Sequence, residues 1–218
     1  MDPQHWLDRW DNGQIGFHQG HVNTHLETFW SGSGIAPGCR VFVPLCGKSL
    51  DMLWLRAQGH EVLGIEISPK AVSDFFEEHG LEPSVSRDAT FERWQSDGLT
   101  LLVGDFFDLR AADLQGVGAV YDRASLIALP PSMRSTYARH MAHIKPPGAT
   151  TLLISVEYPQ AEMNGPPFSV EETEVRALYE PAYRVECLAD IDALPDNPRF
   201  QQRGLSRLHE KVYRLRAP

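Results

Sequence analysis

The chain has 218 residues, of which 42% are hydrophobic, and its formal net charge at pH 7 is −9. This length and apolar content suit a single globular domain, 1–218, with a complete core. The negative charge argues against nucleic acid as the main partner, because phosphate binding needs clustered Lys and Arg. We expect no membrane span, since no apolar stretch approaches the roughly 20 residues that one needs. The N-terminus also lacks the apolar region of a signal peptide.

The cysteines indicate a reducing compartment. Cys39, Cys46 and Cys187 are scattered and do not form the pattern of a disulfide framework. We therefore expect reduced thiols and a cytoplasmic location. The acidic surface and the lack of heptads favour a monomer.

The first half of the chain predicts alternating helices and strands. Residues 5–30 indicate two short helices joined around "DNGQIGFHQG", and a Gly/Ser/Pro loop follows at 31–38. "RVFVPL" and "HEVLGIEI" are typical of buried strands, and each precedes a helix. The second helix has an N-cap at Ser68, proline at Pro69 and a terminating Gly80. This order predicts a parallel sheet with crossover helices.

The second half adds antiparallel elements. "ATFERW" and "LTLLVGDFF" flank Asp97-Gly98, a turn pair that predicts a β-hairpin. "VGAVYDR" and "ATTLLISVEY" predict further parallel strands with a helix between them at 130–144. "EETEVRALYEP" predicts a helix, and two final strands, in "YRVECLADID" and "LSRLHEKVYRL", suit an antiparallel pair. The total is about seven main strands plus the hairpin.

The stretch "VPLCGKS" raises the question of a phosphate-binding loop. A P-loop needs glycine five positions before the Gly of Gly-Lys, where this chain has Phe42. A dinucleotide fingerprint needs three spaced glycines, and only Gly47 is available. Neither pattern is met, so the turn favours a cofactor without a pyrophosphate.

An acidic residue after the second strand points to the kind of cofactor. Glu66 follows Gly47 by nineteen positions, where a carboxylate in a doubly wound fold accepts hydrogen bonds from ribose hydroxyls. Asp105, after the third main strand, lies where an adenine amino group would be recognised. The combination suits S-adenosylmethionine, and the alternative for Glu66 is an exposed acid at a strand end.

Five segments together resemble the thiopurine S-methyltransferase family. They are "WLDRWDNGQIGFH", "VPLCGKSLDM", "GIEIS", "YDRASLIALP" and "GPPFSV", spread over about residues 5 to 215. The resemblance implies a class I S-adenosylmethionine-dependent methyltransferase, an α/β fold. Its Rossmann-like, mostly parallel seven-stranded sheet has helices on both faces, and here an added β-hairpin. It also implies methyl transfer to the sulfur of aromatic or heterocyclic thiols such as thiopurines, and for bacterial members to selenium or tellurium species.

The resemblance further implies site residues at matching positions. The implied cofactor contacts are Trp10, Leu45, Glu66 and Arg123, joined by Asp105 and Phe106, where this chain departs from some members. The implied substrate contacts are Phe17, Arg123, Arg199 and the loop 165–168, with Phe168 as a rigid wall. Arg123 and Arg199 would favour an anionic acceptor as the catalytic pair. Residues 1–30 would form a helical lid over the cofactor site.

Several alternatives stay open. His18, His21 and His25 have helical spacing, but Gly20 interrupts them and no acidic partner is evident, so we predict no metal site. Cys46 is expected to be a small buried hydrophobe, and Arg123 could instead pair with Asp122 or Glu66. A non-catalytic module that binds S-adenosylmethionine or a thiol is the main functional alternative. A methyltransferase acting on oxygen or nitrogen is another, although no general base is identified for it.

Overall fold

The computed structural model describes residues 3–217, so the outermost residues of the predicted domain and of the predicted lid, Met1, Asp2 and Pro218, lie outside it. Nine strands are found in the described residues: Arg40–Val43 (β1), Val62–Glu66 (β2), Ser84–Arg87 (β3), Glu92–Ser96 (β4), Leu99–Val103 (β5), Val117–Arg123 (β6), Thr150–Glu157 (β7), Arg184–Asp192 (β8) and His209–Arg216 (β9). The α-helices are Pro3–Asp11 (α1), Thr24–Phe29 (α2), Asp51–Ala57 (α3), Pro69–Glu78 (α4), Ser125–Ala128 (α5), Pro131–Ile144 (α6), Glu172–Tyr179 (α7) and Pro198–Gln202 (α8). Short 3₁₀ turns occupy Ser31–Ser33, Phe106–Asp108 and Gln160–Glu162.

All nine strands form one sheet in the order β3-β4-β5-β2-β1-β6-β7-β9-β8. The pairs from β5 to β7 are parallel, and β9 runs antiparallel to both β7 and β8. The seven strands from β5 to β8 are the predicted mostly parallel sheet. The predicted antiparallel pair at the end of the chain is also confirmed.

The hairpin joins β4 to β5 and extends the sheet at one edge. Asp97 has φ 40° and Gly98 has φ 77°, as a two-residue turn with both central residues left-handed requires. Its second strand, β5, is itself a core strand, because it also pairs in parallel with β2. The edge strand β3 was not predicted, since Ser84–Arg87 is exposed along its length and lacks apolar alternation.

Helices cover both faces of the sheet, as the side chains of β1 illustrate. Phe42 packs in a core with residues of α6 and α7. Val41 and Val43 face the opposite way and pack with residues of α2, α3 and α4. Successive strand residues point to opposite faces, so a strand buried on both sides reads as a continuous apolar run.

The predicted capping of the helix after β2 is confirmed. The Ser68 hydroxyl accepts a hydrogen bond from the Ala71 N–H at 3.2 Å, and Pro69 opens α4. Gly80 follows the helix with φ 60°. These local contacts fix the direction in which the chain leaves the end of β2.

The order of the strands creates a crevice. β1 lies between β2 and β6, so the chain continues from β1 on one side of this strand and later returns on its other side. Ligands bind at such switch points, outside the carboxyl ends of the strands. Helices α1 and α2, which the sequence predicted, precede β1. No helix in residues 3–217 is both long and apolar enough to cross a bilayer.

Candidate active site

A cavity of about 550 Å³ opens at the carboxyl edge of the sheet, within the size range of small-molecule sites. It brings together side chains from the N-terminal segment, from the loops after five parallel strands and from α8. The predicted site residues that line it are Trp10, Phe17, Leu45, Glu66, Asp105, Phe106, Arg123 and Arg199.

The loop after β1 is a tight turn beneath Trp10. Leu45 has φ 44° and Gly47 has φ 52°, so two of its residues are left-handed. A Cβ on Gly47 would lie 3.1 Å from Cζ2 of Trp10, which is closer than side chains normally approach. Glycine is therefore needed at this position for both backbone conformation and space. Left-handed conformations at residues other than glycine are typical of functional sites.

Glu66, at the end of β2, fixes this loop from below. Its carboxylate accepts hydrogen bonds from the Gly47 N–H at 2.9 Å and from the Ser68 N–H at 3.0 Å. Burial raises the pKa of this carboxyl, while the backbone N–H groups of Ser68 and Gly47 oppose the rise. A carboxylate oxygen can accept two hydrogen bonds, so Glu66, whose oxygens accept from Gly47 and Ser68, keeps acceptor capacity towards the cavity.

Asp105 and Phe106 form the neighbouring wall after β5. Asp105 caps the following 3₁₀ turn by accepting a hydrogen bond from the Phe107 N–H at 2.9 Å. The ring of Phe106 lies 4.8 Å from that of Tyr137, centroid to centroid. The two residues thus provide a polar edge next to an apolar face.

Arg123 is held by Asp51, a partner that the sequence did not indicate. The Arg123 Nε donates to Asp51 at 2.8 Å, and the Tyr121 hydroxyl donates to the same carboxylate at 2.9 Å. The other oxygen of Asp51 accepts from the Asn23 N–H at 2.8 Å. Neither Asp122 nor Glu66 makes an ion pair with Arg123. Asp51 is completely buried, so one carboxylate joins the N-terminal segment, α3 and β6.

The N-terminal segment forms an aromatic wall over the cavity. Phe17 meets Trp6 and Trp10 edge to face, with both centroid distances 5.5 Å. The Arg199 guanidinium donates to the Gly16 carbonyl and so connects α8 to this wall. Trp10 is buried, whereas Phe17 is 37% exposed. These contacts connect the N-terminal segment to the cavity wall and to α8.

Phe168 does not line the cavity, which corrects the expectation of an aromatic wall there. Its N–H donates to the Ile127 carbonyl at 2.7 Å. Its ring lies over Gly165, where a Cβ would come within 2.5 Å of it. The ring therefore packs against its own loop, and Pro166 and Pro167 face the cavity instead.

The histidines do not form a metal site in the described part of the chain. His18 and His21 precede α2, so the helical face that their spacing suggested is not present. His25 pairs instead with Glu210, with 2.5 Å between Nε2 and Oε2. Cys46 is buried, and burial together with the nearby Glu66 raises the pKa of its thiol well above the usual value. A protonated, buried thiol matches the expected small hydrophobe.

Sequence reasoning missed two groups at the cavity. Asp51 lies only four positions after Gly47, so its place in the turn-to-helix segment was a usable signal. Glu210 is one of many acidic residues, and nothing in the local pattern distinguishes it. The prolines at 166 and 167 belong to the predicted substrate loop, 165–168, and they do line the cavity.

Comparison with solved structures identifies the fold. A Burkholderia thailandensis 1,6-didemethyltoxoflavin-N1-methyltransferase, solved with its substrate and S-adenosylhomocysteine, aligns with a TM-score of 0.65 at 13% identity, covering 99% of this chain and 86% of that one. A methyltransferase from Anabaena variabilis, described as S-adenosylmethionine-dependent, aligns with a TM-score of 0.67 at 11% identity, covering 99% and 95%. The fold is that of the class I S-adenosylmethionine-dependent methyltransferases, as predicted.

Comparison of sequences identifies the family. The family model for thiopurine S-methyltransferase matches residues 1–217. A thiopurine S-methyltransferase of Nitrosospira multiformis is 53% identical over 215 residues, which are 99% of this chain and 98% of the relative. The chain therefore belongs to the thiopurine S-methyltransferase family, which confirms the resemblance. It is an S-adenosylmethionine-dependent S-methyltransferase.

The residues present fit this cofactor. The tight turn at Gly47 lies under an indole, and Glu66 offers carboxylate oxygens beside it. A ribose diol needs such acceptors. The backbone N–H of Gly47 is already bonded to Glu66, so the turn is not a phosphate-binding nest. This agrees with a cofactor that carries no phosphate.

Proposed function

We propose that this protein transfers a methyl group to the sulfur of an aromatic or heterocyclic thiol such as a thiopurine. The observation that carries the proposal is the single cavity that joins Glu66 and the Gly47 turn to an aromatic, proline-walled region containing two arginines. The family membership supports the same reaction.

At the cofactor end, the proposed contacts are Trp10, Leu45, Glu66, Asp105, Phe106 and Arg123. S-adenosylmethionine supplies an electrophilic methyl group on a sulfonium sulfur. Glu66 would accept hydrogen bonds from the ribose, and Asp105 would contact the adenine amino group. Trp10 would cover the cofactor and exclude water. Alignment of donor and acceptor at reactive distance contributes up to about 7–11 kcal/mol in ideal cases.

At the acceptor end, the proposed contacts are Phe17, Arg123 and Arg199, with Pro166 and Pro167 replacing Phe168 as the rigid wall. The thiolate is the nucleophilic form of a thiol. The two arginines favour that anion, since an opposite charge stabilises the ionised form. The charge of Arg123 is largely balanced by Asp51, so Arg199 contributes the less compensated positive charge.

The role of residues 1–30 as a lid is part of the proposal. Phe17 and Trp10 belong to this segment and line the cavity, and α1 and α2 lie outside the alternating strands and helices. A covering segment that excludes water increases the strength of electrostatic contacts within the site. The whole chain would work as one domain with this lid.

The test is methyl transfer from labelled S-adenosylmethionine to 6-mercaptopurine, together with cofactor binding by calorimetry. We expect Glu66→Gln to weaken cofactor binding by about 10-fold or more, as expected for losing a hydrogen bond to a charged group. Glu61→Gln, at the exposed amino end of the same strand, is the matched control and should bind normally. Cofactor binding without transfer to any thiol would favour the non-catalytic sensor.

A second variant tests the acceptor side. We expect Arg123→Ala to lower turnover more than cofactor affinity. An equal loss of both would contradict its role towards the acceptor and assign the residue to the cofactor end alone.

The range of acceptors and the cellular location also belong to the proposal. Selenium and tellurium anions are included as acceptors because they are soft nucleophiles like the thiolate, and competition with 6-mercaptopurine would test them. We predict that the protein acts in the cytoplasm, as a monomer and without a nucleic-acid partner. The three cysteines are free, which agrees with a reducing compartment.

A further inference from the structure

Four acidic side chains among the described residues line the cavity, and three of them already hold the turns or Arg123 in place. The donors to Asp51 come from Asn23, Tyr121 and Arg123, as described above. The backbone N–H groups at Gly47 and Ser68 occupy Glu66, and Asp105 caps its own turn. The fourth acid, Glu210, has a different environment.

Glu210 lies on β9 directly opposite Val156 of β7, which also lines the cavity. Its Oε2 is 2.5 Å from Nε2 of His25, and His25 is only 7% exposed. No donor within residues 3–217 makes a hydrogen bond to its second oxygen, Oε1. Glu210 is thus anchored through one oxygen, and the other remains able to accept.

We propose that Glu210 accepts the proton of the acceptor thiol and that His25 holds its carboxylate in place, an inference that rests on the proposed function. The S–H bond breaks, its electron pair stays on sulfur, and the proton passes to the Glu210 carboxylate. The sulfur then forms the new bond to the methyl carbon. The old bond from that carbon to the donor sulfur breaks, and its electron pair neutralises the sulfonium.

The other charged and titratable groups at the cavity are suited to different tasks. Arg123 and Arg199 stabilise an anion but do not accept a proton, because guanidinium remains charged in proteins. Lys48 is paired with Glu78 at 2.6 Å. His18 and His21 also line the cavity, and burial followed by the charge of Lys48 lowers the pKa of His18. His18 is therefore the alternative acceptor of the thiol proton, and the experiment must distinguish it from Glu210.

The first experiment measures ionisation of a bound aromatic thiol without any cofactor. A thiol and its thiolate absorb at different wavelengths, so difference spectra at one pH unit below the solution pKa of the thiol report which form is bound. We expect the wild type to bind the thiolate and Glu210→Gln to give less than a tenth of the thiolate signal. Glu210→Asp should recover part of it, and circular dichroism should confirm that each variant is folded.

Glu157→Gln is the matched control. Glu157 lies on the neighbouring strand, pairs with Lys211 at 3.0 Å and does not line the cavity. It should leave the thiolate signal unchanged. Full ionisation in Glu210→Gln, or loss of ionisation only in His18→Gln, would overturn the proposal.

The second experiment compares acceptors of different acidity in the complete reaction. Glu210→Gln should lower kcat/KM at least tenfold for a weakly acidic thiol and less than twofold for a nitro-substituted thiol that is already ionised. Equal losses for both acceptors would show a structural role and contradict the proposal. If the wild type methylates no thiol, the proposed function itself fails. If the wild type methylates thiols normally and Glu210→Gln does so equally well, only the role of Glu210 fails.

Discussion

The carboxylate of Asp51 lies 2.8 Å from the Nε of Arg123, across 72 positions of sequence, and none of its surface is exposed. The pair connects the first helix after the cofactor turn with the end of β6. Because Asp51 also accepts from the Asn23 N–H, the orientation of Arg123 is coupled to the docking of the N-terminal segment. One buried acid thus joins the N-terminal segment to Arg123, the arginine proposed to contact the acceptor.

The first prediction concerns this pair. Asp51→Asn should lower the free energy of unfolding by about 3 kcal/mol, because it leaves a largely buried guanidinium without its counter-ion. Denaturant unfolding measures this loss. Asp97→Asn is the control, since Asp97 is exposed and lies 3.6 Å from its partner Arg56. Comparable losses in the two variants would contradict the importance of burial.

The second prediction separates backbone strain from contact with Trp10. Gly47 and Gly13 both have positive φ, 52° and 66°, but only a Cβ on Gly47 would meet another residue. Replacement of either by alanine should cost about 1–2 kcal/mol of stability through left-handed strain. Gly47→Ala alone should also weaken S-adenosylmethionine binding about tenfold, or about 1.4 kcal/mol. Calorimetry measures the affinity of both variants for S-adenosylmethionine. Equal affinities would contradict the importance of the contact with the Trp10 indole.

The third prediction concerns the charge at the acceptor end. Arg199→Ala should raise the KM of a carboxylate-bearing thiol about fivefold, or about 1 kcal/mol, the scale of a partly exposed ion pair. The KM of the cofactor should stay constant. Arg203, one helical turn further on, is exposed and does not line the cavity, so Arg203→Ala is the control. A rise of the same size in the KM of an uncharged thiol would show that Arg199 acts by packing and not by charge.

Much of the fold follows from local signals in the sequence. The caps of α4, the Asp97-Gly98 turn and the apolar strands each depend on neighbouring residues, and each was predicted correctly. Boundaries were nearly as accurate: the helix predicted at 130–144 spans Pro131–Ile144. Glu66 could be placed at the cavity because the end of a parallel strand fixes its position.

The parts that were missed depend on distant contacts. Glu210 meets His25 across 185 positions, and no period or motif connects them. Phe168 was expected at the cavity because of its neighbours, but a backbone hydrogen bond to Ile127 and the space over Gly165 turn its ring elsewhere. Tertiary packing, which a local pattern does not encode, decides such side-chain directions.

The last prediction is a pH dependence of stability caused by Asp122. This residue is 1% exposed, its Oδ2 accepts from the Tyr137 hydroxyl at 2.8 Å, and its Oδ1 has no partner in the described structure. Burial raises the pKa of its carboxyl to about 6, from 3.8. Between these values the folded protein keeps a proton that the unfolded chain has lost, so the stability contribution is complete below pH 4 and declines as the pH rises through 6.

Asp122→Asn removes this titration while it keeps an oxygen for Tyr137. The free energy of unfolding of the wild type should therefore fall relative to that of the variant by about 2 kcal/mol between pH 4 and pH 7, since one pKa unit equals about 1.4 kcal/mol. Denaturant unfolding of both proteins across this range measures the difference. Parallel stability curves would mean that Asp122 is ionised in the folded protein, with water bound at Oδ1 as the physical explanation to pursue.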